Sequence, residues 1–258
     1  MNELTSLAEI VKSPEATRTI VTLLGYQFLS PIAKEGGTGL GLILKDNLEQ
    51  VRQVILRKRK EHDHETNLRV AMEGFRSAAF ADSKIAAEYF GGILASSGAS
   101  KDDSLMAFLA LVKDLSSRQL HLHYIIYRKL HDLVLATPEW YEKNLGLQKD
   151  VQSLKVVFLS LELESLGVTP AEDGAMLHQS GLIASYQYDK EDLEDKSYLP
   201  FTEVVPTTLG FQMYAVVHNE YESWRNLKSL SLDPFPEIKL PKIYFKTREE
   251  LVSFATKK

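Results

Sequence analysis

The sequence predicts a mainly α-helical protein: an N-terminal helical bundle followed by a small α+β module that resembles a winged helix. Three observations carry that expectation. Apolar residues recur at helical spacing through most of residues 1–148. Aromatic and β-branched runs that read as strands come later, chiefly at Leu182 to Tyr188 and Tyr198 to Val205. Just before them, Thr169-Pro170 starts a short helix and Gly181 stops it. Helix, helix and hairpin in that order is the arrangement of a winged helix. The predicted division is a helical domain over 1–148 and a winged-helix-like α+β domain over 149–258.

The elements follow in order. Ser13-Pro14 is an N-cap with proline at the first helical position, and a helix is expected to about Leu29. In the next helix, Leu40 to Lys60, residues Leu44, Leu48, Val51 and Ile55 form one face, and Lys45, Asp46, Glu49 and Arg52 lie opposite. Helices are expected over about 65–80, 82–96 and 104–114, with a polar loop at Ser96 to Asp103. Ser116 or Ser117 caps a long helix to about Ala136, and Thr137-Pro138 starts a short one. A helix from about Val151 to Leu166 is expected to end at Gly167. Thr207 or Thr208 begins a helix through His218. Glu237 to Phe245 reads as an edge strand because it contains Pro241. Thr247 to Glu250 resembles a capping box before a last helix.

Composition excludes several classes. A net charge of −5 and a pI near 5.9 give no global attraction to nucleic acid or anionic lipid. The absence of cysteine removes disulfides, zinc–thiolate sites and thiol nucleophiles, and fits a reducing, cytoplasmic location. Met1 to Lys12 carries Glu3 and Glu9, so no signal peptide is expected. The longest uncharged run, Thr19 to Ala33, is shorter than the ~20 residues of a spanning helix. No constitutive span is expected, and insertion of residues 19–44 after a trigger remains an alternative.

Charge is concentrated in two places. Arg57-Lys58-Arg59-Lys60 is the one dense basic run and the candidate anion- or partner-binding site. Four consecutive helical residues point in all directions, so a solvated helix end is the simpler reading. Residues 149–196 hold four basic and ten acidic residues, a net of −6. Glu172 and Asp173 fall on the would-be recognition helix; Asp189, Glu191, Asp192, Glu194 and Asp195 fall on the would-be wing. That surface repels phosphate, so these seven residues form the candidate acidic partner surface.

Other motifs lack their context. Gly36 to Leu42 resembles a nucleotide-binding glycine box, but the upstream Asn helix and Asp-x-Gly-x-Gly turn are missing. His62 and His64 sit in an acidic turn, and His121 and His123 are spaced to diverge on a helix. Glu237-Ile238-Lys239 and Glu194-Asp195-Lys196 match only the end of a nuclease motif. Gln179-Ser180-Gly181 is not a nucleophile elbow. No catalytic residue, metal site or cofactor is expected.

Two segments together resemble the bacterial abortive-infection alpha family. The first is Ala86 to Ser97, then Asp102-Asp103, then Phe108 through Ser116. The second is Leu182-Ile183 followed by Thr207-Thr208-Leu209-Gly210-Phe211-Gln212-Met213-Tyr214. The opening, with Pro31 to Lys34 before a glycine-containing helix, is loosely similar. The likeness covers about half the chain and departs at Gly92-Ile93 and at Pro206 before Thr207. It implies a cytoplasmic bacterial protein of phage defence that acts by binding, with no catalytic residues to carry over. The expected function is a non-enzymatic accessory protein holding a protein partner encoded nearby. A winged-helix nucleic-acid-binding regulator and a membrane-active effector are the alternatives.

Overall fold

The structure, a computed structural model, describes residues 42–60, 67–98, 103–192, 198–230 and 232–256. The expected first helix, the glycine box, the His62/His64 turn and the wing residues Glu194 and Asp195 lie outside them. The protein is mainly α with one small antiparallel sheet. It divides into two compact units, residues 1–114 with 216–222 and residues 115–215 with 223–258. The long helix after Ser116 therefore goes with the sheet, whereas the sequence boundary at 148/149 groups it with the helices before it.

The first unit contains α1 (42–58), α2 (Leu68–Ala78), α3 (Lys84–Ser96) and α4 (Leu105–Asp114). Three of the four stripe residues of α1, Leu44, Val51 and Ile55, are buried as their spacing predicts. Asn67 caps α2 by accepting from the Arg69 and Val70 amides, and Ser83 caps α3 through the Ala86 amide. α3 is buried from Ile85 to Ser96. Its paired glycines make that possible. A Cβ on Gly91 would lie 2.5 Å from the Val54 side chain, and one on Gly92 would lie 2.1 Å from the Val217 carbonyl oxygen. The Ser96 hydroxyl donates to the Val216 carbonyl at 2.8 Å in the same contact.

The second unit begins with α5 (Ser117–Ala136), started by a full capping box between Ser116 and Gln119. Short helices α6 (Pro138–Tyr141) and α7 (Gln148–Val151) follow. Then come β1 (Val156–Leu159), α8 (Ser160–Ser165), α9 (Pro170–Gln179), β2 (Ile183–Asp192) and β3 (Tyr198–Pro206). α10 (Thr208–Val217) has its last two residues in the first unit. β4 (Tyr244–Phe245) and α11 (Arg248–Thr256) end the described chain.

The helix expected over Val151 to Leu166 is a correction. Val156 to Leu159 form a strand, because two β-branched residues and Phe158 find a sheet on both sides. β1 pairs antiparallel with β3 (Val156 opposite Val204) and with β4 (Phe158 opposite Tyr244), giving the order β2-β3-β1-β4. The last expected strand shrinks to Tyr244-Phe245, held by the Glu162 carboxylate, which accepts from the Lys242 and Ile243 amides at 2.6 and 3.1 Å. One sheet face packs Val157, Phe201 and Leu251 together.

The predicted helix stops hold. Gly167 and Gly181 have φ of +82° and +70°. After each helix a pair of backbone bonds closes the end: Val168 to Leu163 with Gly167 to Glu164, and Leu182 to Leu177 with Gly181 to His178.

Candidate functional site

Within the basic run Arg57 and Lys60 stay exposed, whereas Lys58 and Arg59 are drawn in. Arg57 Nη2 holds both oxygens of Glu88 at 2.6 Å. Lys58 turns inward: its side chain is 8% exposed, and its ammonium lies 2.7 Å from Glu88 Oε2 and donates to the Val217 carbonyl at 2.7 Å. Burial outweighs the Glu88 carboxylate and pushes the Lys58 ammonium down to about 8. Asn219, at φ 59°, donates its amide back to the Lys58 carbonyl at 2.9 Å. Lys60 meets Glu220 at 2.6 Å. Three of the four expected anion-binding cations are thus engaged by carboxylates of their own unit, and Arg59 is half-buried. The sequence carried a signal for this in Glu88, the one acid of the largely apolar α3, but its partner Lys58 lies 30 residues away.

In the sheet unit the acidic candidates separate. Asp173 is fully buried and is a correction to the expected surface. Pro170 places no N–H at the first position of α9, and Asp173 Oδ2 accepts the Thr169 amide at 2.8 Å while Oδ1 lies 3.4 Å from Arg118 Nη2. It fixes the start of the helix. Glu172, one residue earlier, points out, with Arg118 3.3 Å away. Glu191 is half-buried and holds Arg248 at 2.9 Å, so it ties β2 to α11. Asp189 and Asp192 are exposed on β2. The Lys190 amide, followed by the Gln187 side chain, donates to Asp189 and holds its carboxyl below the ordinary range, so it stays ionised.

The outward residues of α9 are Ala171, Glu172, Met176, His178 and Gln179. None is Lys or Arg. The structure therefore brings Glu172, Asp189 and Asp192 to the surface of one unit, and assigns Asp173 and Glu191 to its framework.

The histidines of α5 serve packing. His121 Nε2 contacts the Lys239 carbonyl at 2.8 Å, and His123 is buried with its ring 4.6 Å from that of Tyr127. Among the described residues no three His, Asp or Glu side chains gather to hold a metal ion. Ser180 donates to the Met176 carbonyl at 2.7 Å, inside the helix end. No helix among the described residues is long and apolar enough to cross a membrane.

Sequence reasoning gave Tyr127 no role beyond the apolar stripe of the long helix, yet it joins α5 to the starts of β2 and α10. Its hydroxyl donates to the Leu182 carbonyl and accepts the Thr207 amide at 3.0 Å. The Thr207 hydroxyl donates to the Gly181 carbonyl at 2.8 Å and accepts the Gly210 amide at 3.0 Å, capping α10. The sequence offered Thr207 or Thr208 as the helix start; the bonds of the Thr207 hydroxyl decide for Thr207.

No family model, curated protein or solved structure matches this chain.

Proposed function

We propose that this chain is a non-enzymatic interaction protein of a bacterial abortive-infection system, and that its sheet unit holds a protein partner through an acidic surface. The defence setting comes from the resemblance of Ala86 to Ser97 and Thr207 to Tyr214 to the abortive-infection alpha family. The binding mode comes from charge. The observation that carries it is the outward placement of Glu172, Asp189 and Asp192 in one unit, with no Lys or Arg among the exposed residues of α9.

The element order supports a winged-helix-like reading of this unit: β1, two helices, then a hairpin whose second strand pairs with β1. In such a module α9 is the helix that would enter a DNA groove. Here it offers a carboxylate, which phosphate repels and a basic protein surface attracts. The pairing of Arg57, Lys58 and Lys60 with Glu88 and Glu220 leaves the basic run poorly placed to offset that repulsion.

The test is affinity isolation of the full chain from a bacterial host carrying it, at about 50 and 150 mM salt. The wild type and the triple variant Glu172→Lys, Asp189→Lys, Asp192→Lys are compared. The wild type recovers a protein that the variant loses. Recovery of the chain alone, or equal recovery by both, contradicts the proposal.

A further inference from the structure

In the order β2-β3-β1-β4, β2 has a neighbour on one side only among the described residues. It is 10 residues long, well beyond the ordinary ~5–6. Its ladder with β3 runs unbroken from Ser185 to Asp192. In an antiparallel pair, residues alternate between bonding the neighbour and facing away from it.

Two observations set the phase. Lys190 lies opposite Pro200, which has no N–H to give. The Lys190 amide donates instead to the Asp189 carboxylate at 2.8 Å. Lys190 therefore faces away from β3, and so do Tyr186, Tyr188 and Asp192 by the period of two. Pro200 is tolerated because β1 ends opposite Phe201 and asks nothing of it. Among the described residues, no backbone group outside the β3 ladder bonds to residues 184–192. Such an edge is a template for one more strand.

The side chains select the occupant. Asp189 and Asp192 are exposed on opposite faces of the strand, the exposed Tyr188 ring shares the face of Asp192, and the Lys190 ammonium between them lies over the Tyr198 ring. A second copy of the chain in the register centred on Lys190 is disfavoured, because it sets Asp189 opposite Glu191 twice and Lys190 opposite Lys190. Basic side chains on an added strand would meet the carboxylates favourably.

We infer that the outer edge of β2 receives an extended, basic segment of the protein partner as a fifth strand. The inference rests on the partner reading above and names how that partner is held. The backbone bonds supply attachment, and Asp189 and Asp192 select for cationic sequence. The Asp189 bond to the Lys190 amide occupies the edge until the strand arrives, which limits self-association.

The test uses the full, isotope-labelled chain and a blocked peptide of about eight alternating Lys and Val residues, near 50 mM salt. Amide exchange at Tyr186, Tyr188 and Asp192 slows about tenfold on saturation. A Glu/Val peptide and a Lys/Val peptide interrupted by proline leave it unchanged. Equal effects of the interrupted peptide, or no slowing with any, overturn the inference. Tyr188→Pro removes an outward donor and spares the β3 ladder. In the affinity isolation it loses the partner while keeping the wild-type melting temperature. If Tyr188→Pro keeps the partner and the triple charge reversal loses it, the strand inference falls and the partner reading stands. If neither variant changes recovery, both fall. Should Tyr188→Pro fail to fold, the peptide experiment on the wild type decides alone.

Discussion

Lys58 shows what burial does to a charge at the level of one residue. Its ammonium exchanges water for Glu88 and two carbonyls, and the exchange is incomplete, so the folded group sits near 8 against 10.5 in the open chain. Between those values the unfolded chain holds a proton that the native state has shed. Stability therefore rises with pH across about 8 to 10.5. From pH 8 to pH 9.5 the wild type gains about 1–2 kcal/mol relative to Lys58→Met, read from urea midpoints. Parallel curves would show that the lysine is solvated. His123 works at the acid end. Burial outweighs the Gly210 backbone bond and pushes its imidazole down to about 3. Below ~6.5 the unfolded chain takes up a proton that the native state refuses, so stability present at neutrality is lost as pH falls. From pH 7 to pH 5 the wild type loses about 2 kcal/mol more than His123→Phe in the same assay. Equal losses would place the ring in water. Neither burial was legible from spacing: Lys58 stood in a run of four cations, and the carboxylate that draws it inward comes 30 residues later.

Where elements join, Gly210 and Tyr127 form one device. A Cβ on Gly210 would lie 1.9 Å from the Tyr127 hydroxyl and 2.4 Å from the Leu182 carbonyl oxygen. Gly210→Ala costs about 1–3 kcal/mol in chemical denaturation, because the hydroxyl must move and break the clamp on Leu182 and Thr207. Tyr127→Phe costs a similar amount by leaving those buried groups without their partner. The double variant costs clearly less than the sum, since both act on one joint. Full additivity would separate them. The ends of these elements were largely legible in sequence: Ser116, Pro138, Pro170, Gly167, Gly181 and Thr247 each mark a boundary the structure keeps. β1 was not. A four-residue apolar run, Val156 to Leu159, fits a buried helix or a buried strand equally well by period. What decides is pairing with Phe201 to Val204, more than 40 residues away. Asp173 was misplaced for a related reason: its outward look in sequence hides a bond to the Thr169 amide that forms only once α9 has formed.

Over the whole chain, a net charge of −5 gathers at residues 149–196, which alone carry −6. Several cations of the sheet unit are drawn into local pairs: Arg118 beside Glu172, Lys155 beside Glu203, Arg248 beside Glu191 and over the Phe201 ring. Such exposed pairs add little stability, but they reduce the positive charge offered to a polyanion. The mainly helical class and the acidic concentration were both legible from composition and period. The sorting of Glu172, Asp189 and Asp192 from Asp173 and Glu191 needed coordinates. The most direct measurement is a fluorescence anisotropy titration of labelled duplex DNA with the full chain at ~50 mM salt, beside the triple variant Glu172→Lys, Asp189→Lys, Asp192→Lys. The wild type leaves the anisotropy flat to about 10 μM, and the variant gains binding that disappears as salt is raised. Salt-sensitive binding by the wild type, undiminished or stronger than that of the variant, would contradict the assignment of this surface to a protein partner.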